Sequence, residues 1–93
     1  MVEITKSMRV TGMVQGVGFR WMTKRVADQL KIRGFVQNLW DGSVYIEAQG
    51  PALNMAKFAA AVKASPTPSG RVATYEEHVL DKDFPYDEFQ VKY

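Results

Sequence analysis

Residues 10–20 of this chain read Val-Thr-Gly-Met-Val-Gln-Gly-Val-Gly-Phe-Arg, and this glycine-rich stretch constrains the fold more than any other. It stands where one periodicity gives way to another. Met8, Val10, Gly12 and Val14 alternate as one face of a strand over residues 7–14. Met22, Val26, Ala27 and Leu30 then recur at helical spacing over residues 22–33. A glycine-rich turn between a strand and a helix start is a natural anion cradle, because its unpaired N–H groups converge and the helix dipole adds positive potential. Arg20, at the helix entrance, adds a forked and permanently charged set of donors. The dipole disfavours a cation there unless an anion joins it. Neither common phosphate fingerprint fits: counted from Gly12, the P-loop would need glycine, lysine and Ser/Thr where Val17, Gly18 and Phe19 stand. The dinucleotide pattern would need a third glycine at Trp21. Read from these residues alone, Gly16 and Gly18 either cradle a phosphoryl group or merely shape a tight turn.

The remaining pattern is a plain alternation of elements. Gly34 breaks the helix, and Phe35 to Leu39 begins a second strand. Asp41-Gly42 is a two-residue hairpin signal. The chain returns through Ser43 to Gln49, with Val44, Ile46 and Ala48 facing inward. Gly50-Pro51 precedes a second helix over residues 52–64, with Met55, Ala59 and Val62 as its buried stripe. Residues 65–70, Ser-Pro-Thr-Pro-Ser-Gly, form a loop; residues 71–80 form a fourth strand and 89–93 a short last one. The order β-α-β-β-α-β plus a terminal strand predicts an α+β fold, a ferredoxin-like split βαβ sandwich with two helices on one face of an antiparallel sheet.

Composition sets the class. The chain has 93 residues, 46% hydrophobic and 24% charged, which suits one domain over residues 1–93 with a modest core. No apolar run is long enough for a membrane helix. The start, Met-Val-Glu-Ile-Thr-Lys, lacks the apolar region of a signal peptide. With no cysteine there is neither disulfide nor thiolate chemistry, and a cytoplasmic location is expected. The net charge of +2 is spread without a basic run, so neither nucleic acid nor membrane is an expected partner.

A second segment, residues 34–50, reads Gly-Phe-Val-Gln-Asn-Leu-Trp-Asp-Gly-Ser-Val-Tyr-Ile-Glu-Ala-Gln-Gly. The two stretches together resemble the paired signatures of the acylphosphatase family. Gly12 to Arg20 matches G-x-V-Q-G-V-x-F-R, and Gly34 to Gly50 matches G-[FYW]-[AVC]-x-N-x-x-x-G-x-[VI]-x-x-x-x-x-G. The resemblance implies the ferredoxin-like fold, with β1 and β3 side by side in parallel at its centre and β2 paired to β3 through the hairpin. It implies hydrolysis of acyl phosphates to a carboxylate and inorganic phosphate. Arg20 and the backbone of Gln15, Gly16, Val17, Gly18 and Phe19 would bind the phosphoryl oxygens. The Asn38 carboxamide oxygen would accept from the attacking water. No cofactor and no metal are expected, and the enzyme would act as a free-standing monomer on a small molecule.

The residue types suit that chemistry. An acyl phosphate expels a carboxylate, which needs little protonation, and transfer through a loose transition state asks mainly for positioning and charge stabilisation. A nucleophile beside a base is not visible: the one histidine, His78, falls outside both motifs and reads as a surface strand residue. Glu76, Glu77, Asp81 and Asp83 read as solvated strand-end charges rather than metal ligands. Asn38 interrupts an apolar strand, where asparagine is depleted; without the motif it reads equally as a polar residue before a hairpin. Phe19, Trp21 and Trp40 read as packing and rim residues, and Gly12 and Gly34 as backbone necessities. Two departures from the family pattern stand out. Lys31 occupies a position that is often glycine, and the Ser65–Gly70 loop carries two prolines; neither is expected to touch the cradle. Two rival classes remain. One is a nucleic-acid module, echoed in Arg33-Gly34-Phe35-Val36 but on the wrong strand. The other is a domain that binds a phosphorylated metabolite without turnover, such as the acylphosphatase-like domain heading larger carbamoyl-phosphate-handling proteins. The chain end at Tyr93 favours the free-standing enzyme over that last form.

Overall fold

The structure, a computed structural model, describes residues 3–81 and 85–93. Its elements are β1 (Glu3–Met13), α1 (Phe19–Gln29), β2 (Arg33–Asn38), β3 (Val44–Pro51), α2 (Ala52–Lys63), β4 (Arg71–Val79) and β5 (Phe89–Lys92). The strands make one sheet in the order β4-β1-β3-β2-β5. Met8, Val10, Val36, Val44, Ile46 and Ala48 form a single core cluster with Phe19 and Ala27 of α1 and with Met55, Phe58 and Val62 of α2. The expected ferredoxin-like α+β arrangement is therefore present, and the inward set of β3 is as expected.

Strand direction differs from expectation. β1 and β3 are adjacent but antiparallel, with Met8 opposite Ile46 and Val10 opposite Val44. Connectivity demands this. The β1-α1-β2 crossover returns β2 in the direction of β1, and the hairpin then reverses β3 against both. The one parallel pair lies at the edge, where β5 runs beside β2 with Val36 opposite Val91, so the sheet is mixed.

Two glycines permit the pairing. A Cβ on Gly34, at φ 142°, would stand 1.9 Å from the Glu47 carbonyl oxygen, and one on Gly12, at φ 119°, would stand 2.4 Å from that of Arg71. Gly12 also sits at a register shift between β1 and β4, a bulge that turns the end of β1 toward α1. Both are backbone necessities, as read from the sequence.

Element boundaries moved for local reasons. α1 starts at Phe19 rather than residue 22 because Gly18 takes the left-handed conformation that lets the helix begin there. Its fully buried positions are Phe19, Thr23 and Ala27, while Val26 and Leu30 only flank the core. In α2, Phe58 takes the central buried place expected of Ala59. The hairpin has a three-residue loop, not two: Leu39 N–H donates to Ser43 O at 2.8 Å, and Gly42 N–H to Leu39 O at 3.2 Å with Gly42 at φ 94°. On the other face of the sheet the half-buried Phe35 ring lies 5.9 Å from Tyr45 and 6.2 Å from Tyr86.

α1 ends four residues before the sequence pattern suggested. Ile32 N–H donates to Ala27 O at 2.8 Å and Lys31 N–H to Asp28 O at 3.3 Å, the paired bonds of a Schellman motif. Lys31 holds the left-handed position of that motif at φ 56°. A side chain there costs energy that glycine does not. Lys31→Gly should therefore raise stability by about 0.5–1 kcal/mol after the entropy of the unfolded glycine is set against it. The urea midpoint should rise at constant slope. A lower midpoint would mean that the lysine side chain stabilises the turn more than its backbone strains it.

Candidate active site

The loop after β1 carries two left-handed glycines, Gly16 at φ 74° and Gly18 at φ 79°. Gly18 is the N-cap of α1, so no side chain caps the helix, and its first turn holds no acidic residue. The donors of that turn are thus left for another acceptor. Among the described residues, the N–H groups of Gln15, Gly16, Val17 and Gly18 have no hydrogen-bond partner. Two of these residues, Gly16 and Gly18, line a cavity of about 160 Å³ together with Arg20 and Asn38, with Phe19 and Val14 at its apolar side. Trp21 and Tyr93, 60% and 96% exposed, stand at its rim.

Arg20 and Asn38 reach this cavity by different routes. Arg20 lies in the first turn of α1. Its Nη1 donates to Lys92 O at 3.1 Å, and its guanidinium carbon stacks 4.7 Å from the centre of the Tyr93 ring. No carboxylate among the described residues pairs with it, whereas Arg9 and Arg33 are paired with Asp41 and Glu3. Asn38 ends β2 on the same face as buried Val36, because side chains alternate along a strand. Its Oδ1 is shielded from solvent and has no hydrogen-bond partner among the described residues. β5 supplies the remaining wall: Gln37 is in register with Lys92, which brings Tyr93 beside Asn38. The sequence revealed a last strand but not that it would dock next to β2.

Gln15 and Val17, also expected at the cradle, do not line the cavity. Gln15 instead ties the loop to the hairpin. Its Nε2 donates to Leu39 O at 2.8 Å and to Ser43 O at 2.9 Å, immediately after Asn38. Ser43 is held in turn by Asp41, whose Oδ1 accepts from its N–H at 3.0 Å and its hydroxyl at 2.6 Å. Those Ser43 bonds, with the nearby Arg9 charge, hold the Asp41 carboxyl below the usual carboxylate range. The Ser65–Gly70 loop departs from expectation, because it touches the cradle: buried Thr67 donates through Oγ1 to Val17 O at 3.1 Å. A threonine between prolines reads as a surface turn, so only the fold exposes this contact.

The other candidates lie elsewhere. His78 is an exposed strand residue, as expected, and Trp40 at the hairpin tip is 99% exposed and away from the cavity. Glu77 pairs with Lys6 at 2.5 Å, and the bonds from Lys6 and Tyr75 lower its pKa. Asp83 lies outside the described residues. Among the described residues, no three His, Asp or Glu side chains converge as a metal site.

The sequence model of the acylphosphatase family matches residues 6–91. This chain belongs to the acylphosphatase family. Membership makes it an enzyme of that hydrolase class. An acylphosphatase of Lacticaseibacillus paracasei is 53% identical over 91 residues, covering 98% of each chain. The crystal structure of the acylphosphatase from Bacillus subtilis superposes with a TM-score of 0.92 at 33% identity, over 97% of this chain and 99% of that one. An acylphosphatase structure from Coxiella burnetii gives 0.90 at 27% identity, over 97% and 93%.

The Gln15 tie is testable by itself. Gln15→Met keeps the length of the side chain and removes both donors, which should cost about 1–3 kcal/mol at two part-buried bonds. Chemical denaturation reads this directly. A variant as stable as the parent would show that the hairpin keeps its place without the clamp.

Proposed function

We propose that this chain, acting as one domain and as a monomer, hydrolyses the carboxyl–phosphate anhydride of acyl phosphates with an in-line water positioned by Asn38. The observation that carries this reading is that Arg20, Asn38, Gly16 and Gly18 line one small cavity, the N–H groups of the two glycines having no partner among the described residues. Arg20 and the backbone N–H groups of Gln15 to Phe19 hold the phosphoryl oxygens. The helix dipole and the guanidinium then stabilise charge together, which accounts for a cation at the wrong end of a helix.

The steps balance without a base. The water oxygen forms a bond to phosphorus as the phosphorus–oxygen bond to the acyl group breaks. The bonding pair leaves on the carboxylate, and the water proton passes to a phosphoryl oxygen. Asn38 Oδ1, an acceptor with no partner among the described residues, is the group that takes a hydrogen bond from this water once the carboxamide turns about its last torsion. An orphaned buried acceptor costs on the order of 1–3 kcal/mol, so the protein gains by filling it. Phosphate monoesters are poor substrates under this scheme, since it assigns no acid to protonate their alkoxide.

Arg20→Gln should remove most phosphate affinity and activity while the domain stays folded. Loss of one preorganised charged donor is worth on the order of 3–4 kcal/mol, a factor of about 10² to 10³. Inorganic phosphate should raise the Tm of the parent and hardly that of the variant. Equal protection of both would place the anion elsewhere.

Asn38→Ala should separate turnover from binding. Phosphate protection should survive because Arg20 and the loop N–H groups remain, while kcat falls roughly a hundredfold or more and KM moves far less. A domain that binds phosphorylated metabolites without turnover would show no activity to lose. A variant that keeps its kcat would reduce Asn38 to a strand residue before a hairpin.

A further inference from the structure

Thr67 lies outside both motifs, in the connection between α2 and β4, yet it is only 7% exposed. Its surroundings are stiff. Its carbonyl accepts from Ser65 Oγ at 2.9 Å and from Gly70 N–H at 3.1 Å. Pro66 and Pro68 flank it with locked φ angles, and Pro68 also confines Thr67 to extended backbone. The segment it touches is the opposite. Gly16 and Gly18 hold left-handed backbone, and a Cβ on either would meet no atom within 4 Å. These two glycines bring no side-chain packing of their own, so beside the Val17 side chain on the core a hydrogen bond at the Val17 carbonyl fixes the direction of the peptide that joins Val17 to Gly18.

We propose that Thr67 is a positioning residue for phosphoryl binding: by holding the Val17 carbonyl it aims the Gly18 N–H into the cavity. The inference rests on the cradle reading given above. The peptide between Val17 and Gly18 is trans, so its C=O and N–H point in opposite directions. Gly18 lines the cavity, whereas Val17 and Thr67 do not. Tying the carbonyl to Thr67 therefore turns the donor toward the anion. A flip of this peptide would exchange an attracting N–H for a repelling oxygen, and glycine at position 18 makes that flip sterically cheap. The Thr67 hydroxyl, at 3.1 Å from the Val17 oxygen, disfavours the flipped state before any substrate arrives. A rigid proline-flanked turn thus compensates for the looseness of a glycine-rich loop.

The test is calorimetric titration of inorganic phosphate into the parent, Thr67→Val, Thr67→Ser and Arg20→Gln, each shown folded at the working temperature by its melting curve. Thr67→Val, which keeps the shape and loses the donor, should bind phosphate about tenfold more weakly. Thr67→Ser should bind as the parent does. Thr67→Ala, without a second methyl facing the carbonyl, gives the same reading if the valine protein does not fold. In the phosphate-free state the Gly18 N–H order parameter should fall in the valine or alanine variant and stay at the parent's value in the serine variant. A merely structural role would lower Tm and leave both readouts alone. Parent-like phosphate affinity in the variants without the hydroxyl overturns the proposal while leaving the cradle intact, as does failure of serine to rescue. No phosphate binding by the parent, or equal binding by Arg20→Gln, overturns the cradle itself and this inference with it.

Discussion

Backbone that no side chain can occupy is the constraint on which this sheet depends. At Gly34 an added Cβ would lie 1.9 Å from the Glu47 carbonyl oxygen, and at Gly12 it would lie 2.4 Å from that of Arg71. Without those close approaches β2 could not lie against β3, nor the end of β1 against β4. A slip in either pairing turns inward residues outward. Asn38, which shares the face of Val36 along β2, would then turn away from the core together with it. The placement of the proposed site is a consequence of strand register before it is a matter of side-chain chemistry.

Within that frame the site gathers donors and leaves them unpaired. A helix with no side-chain cap, two left-handed glycines and an arginine with no carboxylate partner among the described residues all face one small cavity. The orphan N–H groups and the cation at the positive end of a dipole are each mildly unfavourable unless an anion joins them. The supports are neutral and rigid by comparison. Gln15 holds the hairpin, Lys92 O and the Tyr93 ring hold Arg20, and Thr67 holds the Val17 carbonyl. None of these contacts uses an Asp or Glu side chain, which favours keeping the positive field for an anionic ligand.

Secondary structure was legible where the pattern was strong. The inward triplet Val44, Ile46 and Ala48 follows from alternation, and both helices follow from their apolar spacing. Boundaries were less legible because backbone geometry decides them: Gly18 starts α1 early, and Lys31 stops it by taking a conformation that lysine does not signal. The hairpin loop gained a residue for a similar reason, since one left-handed glycine serves three-residue loops as well as two.

Local sequence determined the glycine-rich turn, the arginine after it, the polar interruption at Asn38 and the alternation of elements, because each depends on residues within a few positions of one another. The tertiary structure alone decided that β3 runs against β1, that β5 docks parallel to β2 and delivers Tyr93, and that Thr67 reaches a carbonyl 50 positions away. Those facts arise from chain reversals and from which edges remain free to pair. Neither leaves a trace in local composition, since a hydroxyl in a proline-flanked loop looks the same in sequence whether it faces water or a cradle.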